Sequence, residues 1–546
     1  MNFKLRSLVA ATLAGSMLMG FGTSAMADST DDILNALIAK GILTEEEGAL
    51  LQKGRTGEKQ AAEDKKKTAV SIKNKDGAMV LESGDGKNSM ALTGRMQFDM
   101  RSESNNNDSS TPELNSDRDT AGMADQFELR RARIGVKGKM FEHFDYEVIG
   151  NLVGSNTNIV DVAYINAGMF KPAQLKLGQF KQPFNLEEYG TSSNNIDFME
   201  RSYVNQLTPA KKTGAMLHGV PRDGVTYAAS IYQQNNFGET DSENTGKGFA
   251  GRATLNFAEL AGWSDSVFHV GAAGFDSEYG VLPTSSSNGN SKPPVCETTQ
   301  DEDTLEFTTS CENTKAATNG TVLSFRSAGR GLTNAYRAQI GGDSVQDGPS
   351  MPSNTAAKVK NKAYGLEMAL AKGPFKIQGE YTDQSFDASL ASNEANFVRA
   401  DAEAYYVEAL WMLTGENYSN WYKNGAWGGI KPTSNFDIAT GKGKGAWEIG
   451  VRYDAFNVNN VAIGGTGSRI QGAYQGSDGS GKETTNSVGG GAQTYTVGVK
   501  WQLTPNMRVL ANYSHTKFDD KFRAVDTTIE NITKEDLLMV RSQFSF

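Results

Sequence analysis

From about residue 68 to its end the chain is written in a two-residue period. Residues 446–454 put Trp447, Ile449, Val451 and Tyr453 on one face and Glu448, Gly450, Arg452 and Asp454 on the other. Tyr495, Val497, Val499, Trp501 and Leu503 alternate with Thr494, Thr496, Gly498, Lys500 and Gln502, and Phe375, Ile377 and Tyr381 alternate with Lys376, Gln378 and Glu380. Successive side chains of a strand point to opposite faces, so each segment has one apolar and one charged face. A soluble sandwich shows the same alternation. The sum separates the two: many such strands, no helical layers, and a secretion signal. In lipid only a closed barrel leaves no backbone group unpaired, and its strands need only ~10 residues. Past residue 22 no run approaches the ~18 apolar residues of a membrane-spanning helix. Composition agrees, with 59 glycines in 546 residues, 38% hydrophobic and 9% aromatic. A net charge of −10 excludes a basic nucleic-acid binder, and two cysteines exclude a disulfide scaffold.

The two ends set an address. Lys4 and Arg6, an apolar stretch from Leu8 to Phe21, and Ala25-Met26-Ala27 read as a signal peptide over 1–27. At the other end Leu538, Val540, Phe544 and Phe546 share a face opposite Arg541, Gln543 and Ser545. A closing strand with a terminal Phe resembles the recognition signal of bacterial outer-membrane proteins. Residues 28–67 differ from the rest. Ile33, Leu34, Leu37 and Ile38 have helical spacing, a capping pattern begins at Thr44, and a charged stretch follows from Lys53 to Lys67. The expected organisation is a signal peptide (1–27), a periplasmic helical segment and charged linker (28–67) and an outer-membrane β-barrel (68–546). Residues 28–67 serve as a spacer or as a contact to the cell wall. Dividing the barrel region by ~30 residues per strand and connection gives about 16 strands, with 18 fitting almost as well.

Nothing assembles into an enzyme site. The four histidines are scattered without metal spacing, so no cofactor is expected. Cys296 and Cys311 share one long polar loop and are expected to form a disulfide, worth roughly 3 kcal/mol in the chain-entropy model. Local charge is the informative signal. Residues 127–139 carry five basic residues against one acid. Arg131 and Arg133 fall opposite Ile134 and Val136 and should face the lumen, whereas Arg130 points the wrong way unless a bulge interrupts the alternation. Arg95, Lys181 and Arg201 add to the set, and Arg326, Arg330 and Arg337 lie in an acid-free stretch. A row of guanidinium groups along a pore concentrates anions and offers planar sites to phosphate oxygens. The alternative is that these arginines merely pair with luminal acids.

These motifs look familiar in combination. Phe-Glu-Leu-Arg-Arg-Ala-Arg-Ile-Gly (127–135) is similar to a hallmark of the phosphate-selective porin O and P family. So are segments at 175–188, 405–416, 445–454 and 497–501, and the resemblance spans most of 70–546. It implies a 16-stranded, usually trimeric barrel in a Gram-negative outer membrane, with an inward loop at roughly 181–205 narrowing the pore. On the family's pattern Arg130 and Arg131 match an arginine pair, and Arg95, Arg201 and Asp161 match further pore positions. Lys73 and Lys87 match lysines near the first strand. The central lysine of phosphate-selective members falls on Glu188, a second basic position falls on Asp145, and Arg133 and Lys181 stand where aromatics are found. A carboxylate at contact distance would repel an anion by ~1–4 kcal/mol unless Arg133 or Lys181 neutralises it. The leading expectation is a passive channel for small anions, phosphate or polyphosphate above all. Two alternatives are a general or cation-tolerant porin, and a plugged structural or adhesive barrel.

Overall fold

The computed structural model describes residues 40, 44–46, 69–75, 78–105, 126–153, 159–234, 246–281, 295–300, 307–312, 321–331, 335–340, 357–390, 394–465, 468–471, 489–519 and 533–546. Contacts divide the chain into two units, residues 1–70 with 83–85 and the remainder. The second unit is the subject below. The signal peptide and helical segment expected over 1–67 lie, but for four residues, outside the described residues.

Sixteen antiparallel strands close on themselves. They are β1 (Ser89–Asn105), β2 (Gln126–Met140), β3 (Phe144–Asn151), β4 (Val160–Ala167), β5 (Gln174–Lys181), β6 (Lys211–Arg222), β7 (Val225–Gln233) and β8 (Lys247–Asn256). The second half comprises β9 (Ser266–Val281), β10 (Ala357–Lys372), β11 (Phe375–Leu390), β12 (Phe397–Met412), β13 (Ala446–Gly464), β14 (Gly490–Thr504), β15 (Met507–Phe518) and β16 (Lys534–Ser545). Each strand pairs with its sequence neighbours, and β16 returns to β1 in a register from Glu535↔Asn105 to Ser545↔Arg95. A short hairpin, Ser71–Lys75 with Ala78–Glu82, continues the sheet from the start of β1. The count of 16 is thus the one the residue arithmetic gave first.

The outward faces carry two aromatic rows at a constant spacing. Phe375 and Tyr381, Tyr405 and Trp411, Trp447 and Tyr453, and Tyr495 and Trp501 stand six residues apart on four successive strands. Neighbouring rings touch within each row. Tyr453 lies 5.1 Å from Tyr495, and Trp447 stacks on Trp501 at 5.0 Å. Six residues cover ~20 Å of strand, or ~15 Å along the membrane normal at the usual ~40° tilt, and the rings extend this toward the ~25 Å apolar belt of an outer-membrane barrel. Long connections leave from the tyrosine end, which is therefore external, and short ones lie at the tryptophan end, residues 413–445 excepted.

Polarity inverts at the tyrosine row. Below it Lys376, Gln378, Glu380 and Glu408 point inward while Ile377, Val407 and Trp411 are exposed. Above it Ala388, Leu390, Val398, Ala400 and Ala402 are buried inside, and Asp387, Arg399 and Asp401 point out. The upper tier of β10–β13 is thus an apolar core wrapped by a charged wall, the arrangement of a barrel in water. By contrast β3, β4 and β5 have eight residues each and stop short of such a tier.

Closure depends on one small residue. Gly94 exchanges backbone hydrogen bonds with Phe546 at 2.9 and 3.1 Å, and a Cβ there would lie 2.5 Å from the Phe546 ring and 2.8 Å from the Arg133 carbonyl. Gly94→Val is expected to prevent the last strand from sealing on the first. Heat-modifiable migration in detergent gels checks this: the compact, fast-migrating form should vanish in the variant.

Candidate functional site

The connection between β5 and β6, residues 182–210, is too apolar to stay in water. Phe184, Leu186, Ile196, Phe198, Met199, Tyr203, Val204 and Leu207 are all at most 3% exposed, because the loop folds into the lumen. Phe184 meets Phe275 edge-on at 4.9 Å, with Gly365 leaving room beside it. Phe198 sits over Gly450 and Gly498, where added Cβ atoms would come within 3.2 and 2.9 Å of its ring. Wall carboxylates take up the loop's free N–H groups, since buried donors need partners. Glu380 accepts from Leu186 and Glu187 at 2.7 and 2.8 Å, and Asp454 accepts from Tyr203 at 3.0 Å. Asn185 adopts φ = 59°, which Asn tolerates, and its side chain accepts from the Glu188 N–H at 2.8 Å.

The loop's carboxylates bind wall cations in turn. Glu200 meets Arg541 at 2.6 Å and Arg130 at 2.9 Å, and Asp197 meets Lys376 at 2.6 Å and Lys500 at 3.3 Å. Glu188 meets Arg201 at 2.7 Å and Lys181 at 3.7 Å. Burial alone would push the Glu188 carboxyl up, but Arg201, Lys181 and Lys211 outweigh it and hold it down at about 2. Asp161 is shared by Arg133 at 2.9 Å and Lys211 at 2.5 Å. Arg95 donates to Asn194 at 2.7 Å and stands directly across the sheet from Arg133.

Two further segments fill the lumen. From the tryptophan end, residues 413–445 fold inward as an insertion. Its Trp427 backbone N–H donates to the Gly190 carbonyl of the constriction loop at 2.9 Å, and its Tyr418 hydroxyl donates to Glu448 at 2.7 Å. Lys376 lies 4.4 Å above the Trp427 ring. From the external end, residues 321–325, 336–339 and 469–471 form a three-stranded sheet, and Phe325 stacks on Phe456 at 4.1 Å. The Ala328 N–H donates to the Tyr203 hydroxyl at 3.1 Å, tying this plug to the constriction loop.

Exposure divides the basic residues into two groups. The side chains of Arg541, Lys500, Lys376 and Arg452 are at most 3% exposed and clamp the loop. Arg130, Arg133, Lys181, Arg201 and Lys211 keep between 11% and 22%. Arg130 reaches Glu200 because the β1–β2 register slips between Gln97 and Phe98 and leaves Arg130 as the extra residue. Glu188 is neutralised by Arg201 and Lys181, while Arg133 serves Asp161 instead. Asp145 sits far down β3, paired with Lys139 at 2.8 Å. Arg330 pairs with Glu128 at 3.0 Å beside Arg326, whose backbone exchanges hydrogen bonds with Gln206 of the constriction loop at 2.8 and 3.0 Å, and Arg337 donates to Thr321 at 2.9 Å within the plug sheet. Lys73 pairs with Glu82 in the N-terminal hairpin. Cys296 and Cys311 are register partners of a hairpin whose side chains lie outside the described residues. Sequence reasoning missed Lys211 and Glu200. Lys211 begins β6 opposite Lys181, the last residue of β5, and that symmetry about the loop was its available signal.

A closed sixteen-stranded barrel with aromatic rows and an inward constriction loop defines an outer-membrane porin, a channel. The model of the phosphate-selective porin O and P family matches residues 98–282 and 293–546, and the chain belongs to that family. Porin O of Pseudomonas aeruginosa is 24% identical over 406 residues, covering 72% of this chain and 78% of that one. Similar solved structures include OmpT of Vibrio cholerae, with 9% identity, 84% of this chain and 98% of that one covered, and a TM-score of 0.44. An anion-selective porin from Comamonas acidovorans has 10% identity, coverage of 84% and 100%, and a TM-score of 0.38.

The insertion acts as a strut under the constriction loop. Trp427→Ala removes the ring that Lys376 and Tyr422 hold, a truncation of a class that costs 3–5 kcal/mol in a packed site. It is expected to free the loop near Gly190, giving larger and noisier single-channel conductance with unchanged heat-modifiable migration. Wild-type conductance would show that the strut bears no load.

Proposed function

We propose that this porin is an anion-preferring diffusion channel whose solutes pass the cationic cluster at the constriction, with phosphate or polyphosphate the best-matched class. One observation carries the reading. Arg95, Arg133, Lys181, Arg201 and Lys211 act electrostatically on one another, and the described carboxylates they share are Asp161 and Glu188. Five cations against two carboxylates leave a net charge of three. Like charges directly across a sheet repel, as Arg95 and Arg133 must. Each also keeps a buried Nε with no hydrogen-bond partner among the described residues. A tetrahedral oxyanion supplies both the charge and the acceptors. Asp161 and Glu188 compete with it for the same donors, which weakens binding, and conduction requires binding weak enough to release.

The competing reading, a general or cation-tolerant porin, gives a different sign in one measurement. In a salt gradient across a single purified channel, the reversal potential should report anion preference; a cation-selective sign overturns the proposal. Phosphate should reduce chloride current at millimolar concentration, and Arg133→Ala should raise the phosphate needed by roughly tenfold, the worth of one charge-assisted contact.

Glu188→Gln should act in the opposite direction, freeing Arg201 and Lys181 and strengthening phosphate block by roughly threefold to tenfold. The sign of the pH dependence follows. A carboxyl held down at about 2 stays charged as the pH falls through the ordinary carboxylate range, and its pairing is lost only near pH 2. Titrating the wild type from pH 7 to pH 4 should therefore not reproduce the Glu188→Gln phenotype.

We also propose a homotrimer joined through the short-stranded side. There Met96, Leu129, Ile134, Leu177 and Leu217 are exposed on the outer wall, where the tyrosine and tryptophan rows of β11–β14 have no counterpart. Mass measurement in detergent distinguishes one copy from three.

A further inference from the structure

Arg252 on β8, His269 on β9 and Glu367 on β10 form a buried circuit on strands that carry none of the constriction's cations. Their side chains are at most 3% exposed. Glu367 accepts from Arg252 at 2.6 Å and from His269 Nε2 at 2.9 Å. A carboxylate can only accept, so Nε2 carries the hydrogen and Nδ1 is left as an acceptor. Nδ1 accepts from the Tyr422 hydroxyl at 2.6 Å. That hydroxyl in turn accepts from the Gly425 N–H, and the Gly425 carbonyl accepts from Arg252 at 3.0 Å. The circuit therefore starts and ends on Glu367 and passes through the inward insertion.

The part of the insertion it grips is a tight hairpin. Tyr422 and Lys423 pair with Trp427 and Ala426 around a two-residue turn, where Asn424 and Gly425 have φ of 51° and 72°. A Cβ at Gly425 would lie 2.8 Å from the Thr254 hydroxyl, so the turn is seated on the β8 wall without slack. The returning strand of the hairpin meets the constriction loop. There the Trp427 backbone N–H reaches the Gly190 carbonyl, and Trp427 forms a parallel bridge with Thr191. Arg252 also lies over the Tyr189 ring, 5.3 Å from its centre. Residues 189–191, which directly follow Glu188, are thus each held by this circuit or by its hairpin. The Thr191 carbonyl accepts from Lys181 at 2.9 Å and from Arg201 at 3.1 Å, so the same segment seats the two cations that Glu188 neutralises. Charge-assisted bonds weaken steeply with distance and angle, and a small shift of 189–191 changes the fit.

We propose that Arg252, His269, Glu367 and Tyr422 are positioning residues of the constriction, which hold residues 189–191 so that the Glu188 carboxylate meets Arg201 and Lys181. They thereby set how much of the charge of those two cations a passing solute encounters. The inference rests on the cationic cluster being the selective part of the pore, and not on phosphate being the solute.

Its test uses the full chain in a planar bilayer under a potassium chloride gradient, where the reversal potential gives the chloride-to-potassium permeability ratio. Tyr422→Phe removes one hydroxyl and no charge. It should loosen Glu188 from Arg201 and raise the ratio by roughly twofold, part of the way to the Glu188→Gln value. His269→Leu breaks the next bond of the circuit and should shift the ratio in the same direction. In a Glu188→Gln background Tyr422→Phe should change nothing, because the carboxylate it positions is gone. Tyr418→Phe, which frees the insertion from Glu448 instead, should leave the ratio unchanged. Heat-modifiable migration verifies that each barrel is intact. An unchanged ratio in both Tyr422→Phe and His269→Leu overturns the proposal, as does an unchanged ratio in Glu188→Gln itself. So does an equal shift of Tyr422→Phe in the Glu188→Gln background, or an equal shift in Tyr418→Phe, either of which reduces the circuit to ordinary packing. A wild type that prefers potassium overturns the anion-preferring reading, and the shift in Tyr422→Phe still decides this one.

Discussion

The pore exists because a loop carries its own counter-charges into the barrel. Residues 182–210 bring Glu187, Asp197 and Glu200 into the lumen, where Arg452, Lys376, Lys500, Arg130 and Arg541 receive them. Burying a charge is costly unless it is paired, so a loop that left the wall would strand cations and carboxylates alike. The aromatic anchors Phe184 and Phe198 supply apolar contact, and the ion pairs decide where on the wall those anchors rest. Everything else in the lumen is arranged around this docking. The external plug rests on Tyr203 and the insertion rests on Gly190.

That docking also sorts the cations. Those consumed in holding the loop are buried, Arg130 alone among them staying 20% exposed. Those left over, Arg133, Lys181, Arg201 and Lys211, gather about Asp161 and Glu188 and keep partial access to solvent, with the more buried Arg95 beside them. On the proposed reading a chain of net charge −10 holds a positive constriction, because whole-chain charge carries no information about which charges are paired. The same bookkeeping recasts Glu188. At a position where a lysine would add charge, it accepts from Arg201 and acts as a resident anion rather than as an unshielded repeller.

The faces of the membrane strands and the closing Phe were legible because lipid enforces a strict two-residue period, while the strand number came from residue arithmetic that also admitted 18. The conflict over Arg130 was legible too: parity demanded a bulge, and the register slips at Gln97 and Phe98. Three features were not. Tyr418, Trp421, Tyr422 and Trp427 belong to an inward insertion that no local pattern announces, since aromatic residues suit a membrane interface and a lumen core equally. Lys211 and Glu200 take their meaning from partners 50 and 341 residues away, which no local pattern records. The third is the inversion along β11 and β12. Alanine alternating with charge obeys the same period as leucine alternating with charge, so periodicity identifies a strand without saying which side is wet.

Residue size resolves that last ambiguity. Below the tyrosine row the outward residues are large, such as Ile377, Val407 and Trp411, because they must fill space against disordered acyl chains. Above it many of the inward residues are alanine, interspersed with Val359, Phe386, Leu390, Val398 and Phe456, because Leu323, Phe325 and Tyr336 of the plug already occupy much of the centre. A strand that changes from large-apolar-out to small-apolar-in is crossing from lipid to a filled aqueous tier, and the residue at which it changes marks the membrane surface. On β10, β11, β12 and β13 that residue is Tyr364, Tyr381, Tyr405 and Tyr453. Four strands agree on one level, which is what a planar boundary imposes and what a soluble core would have no reason to reproduce.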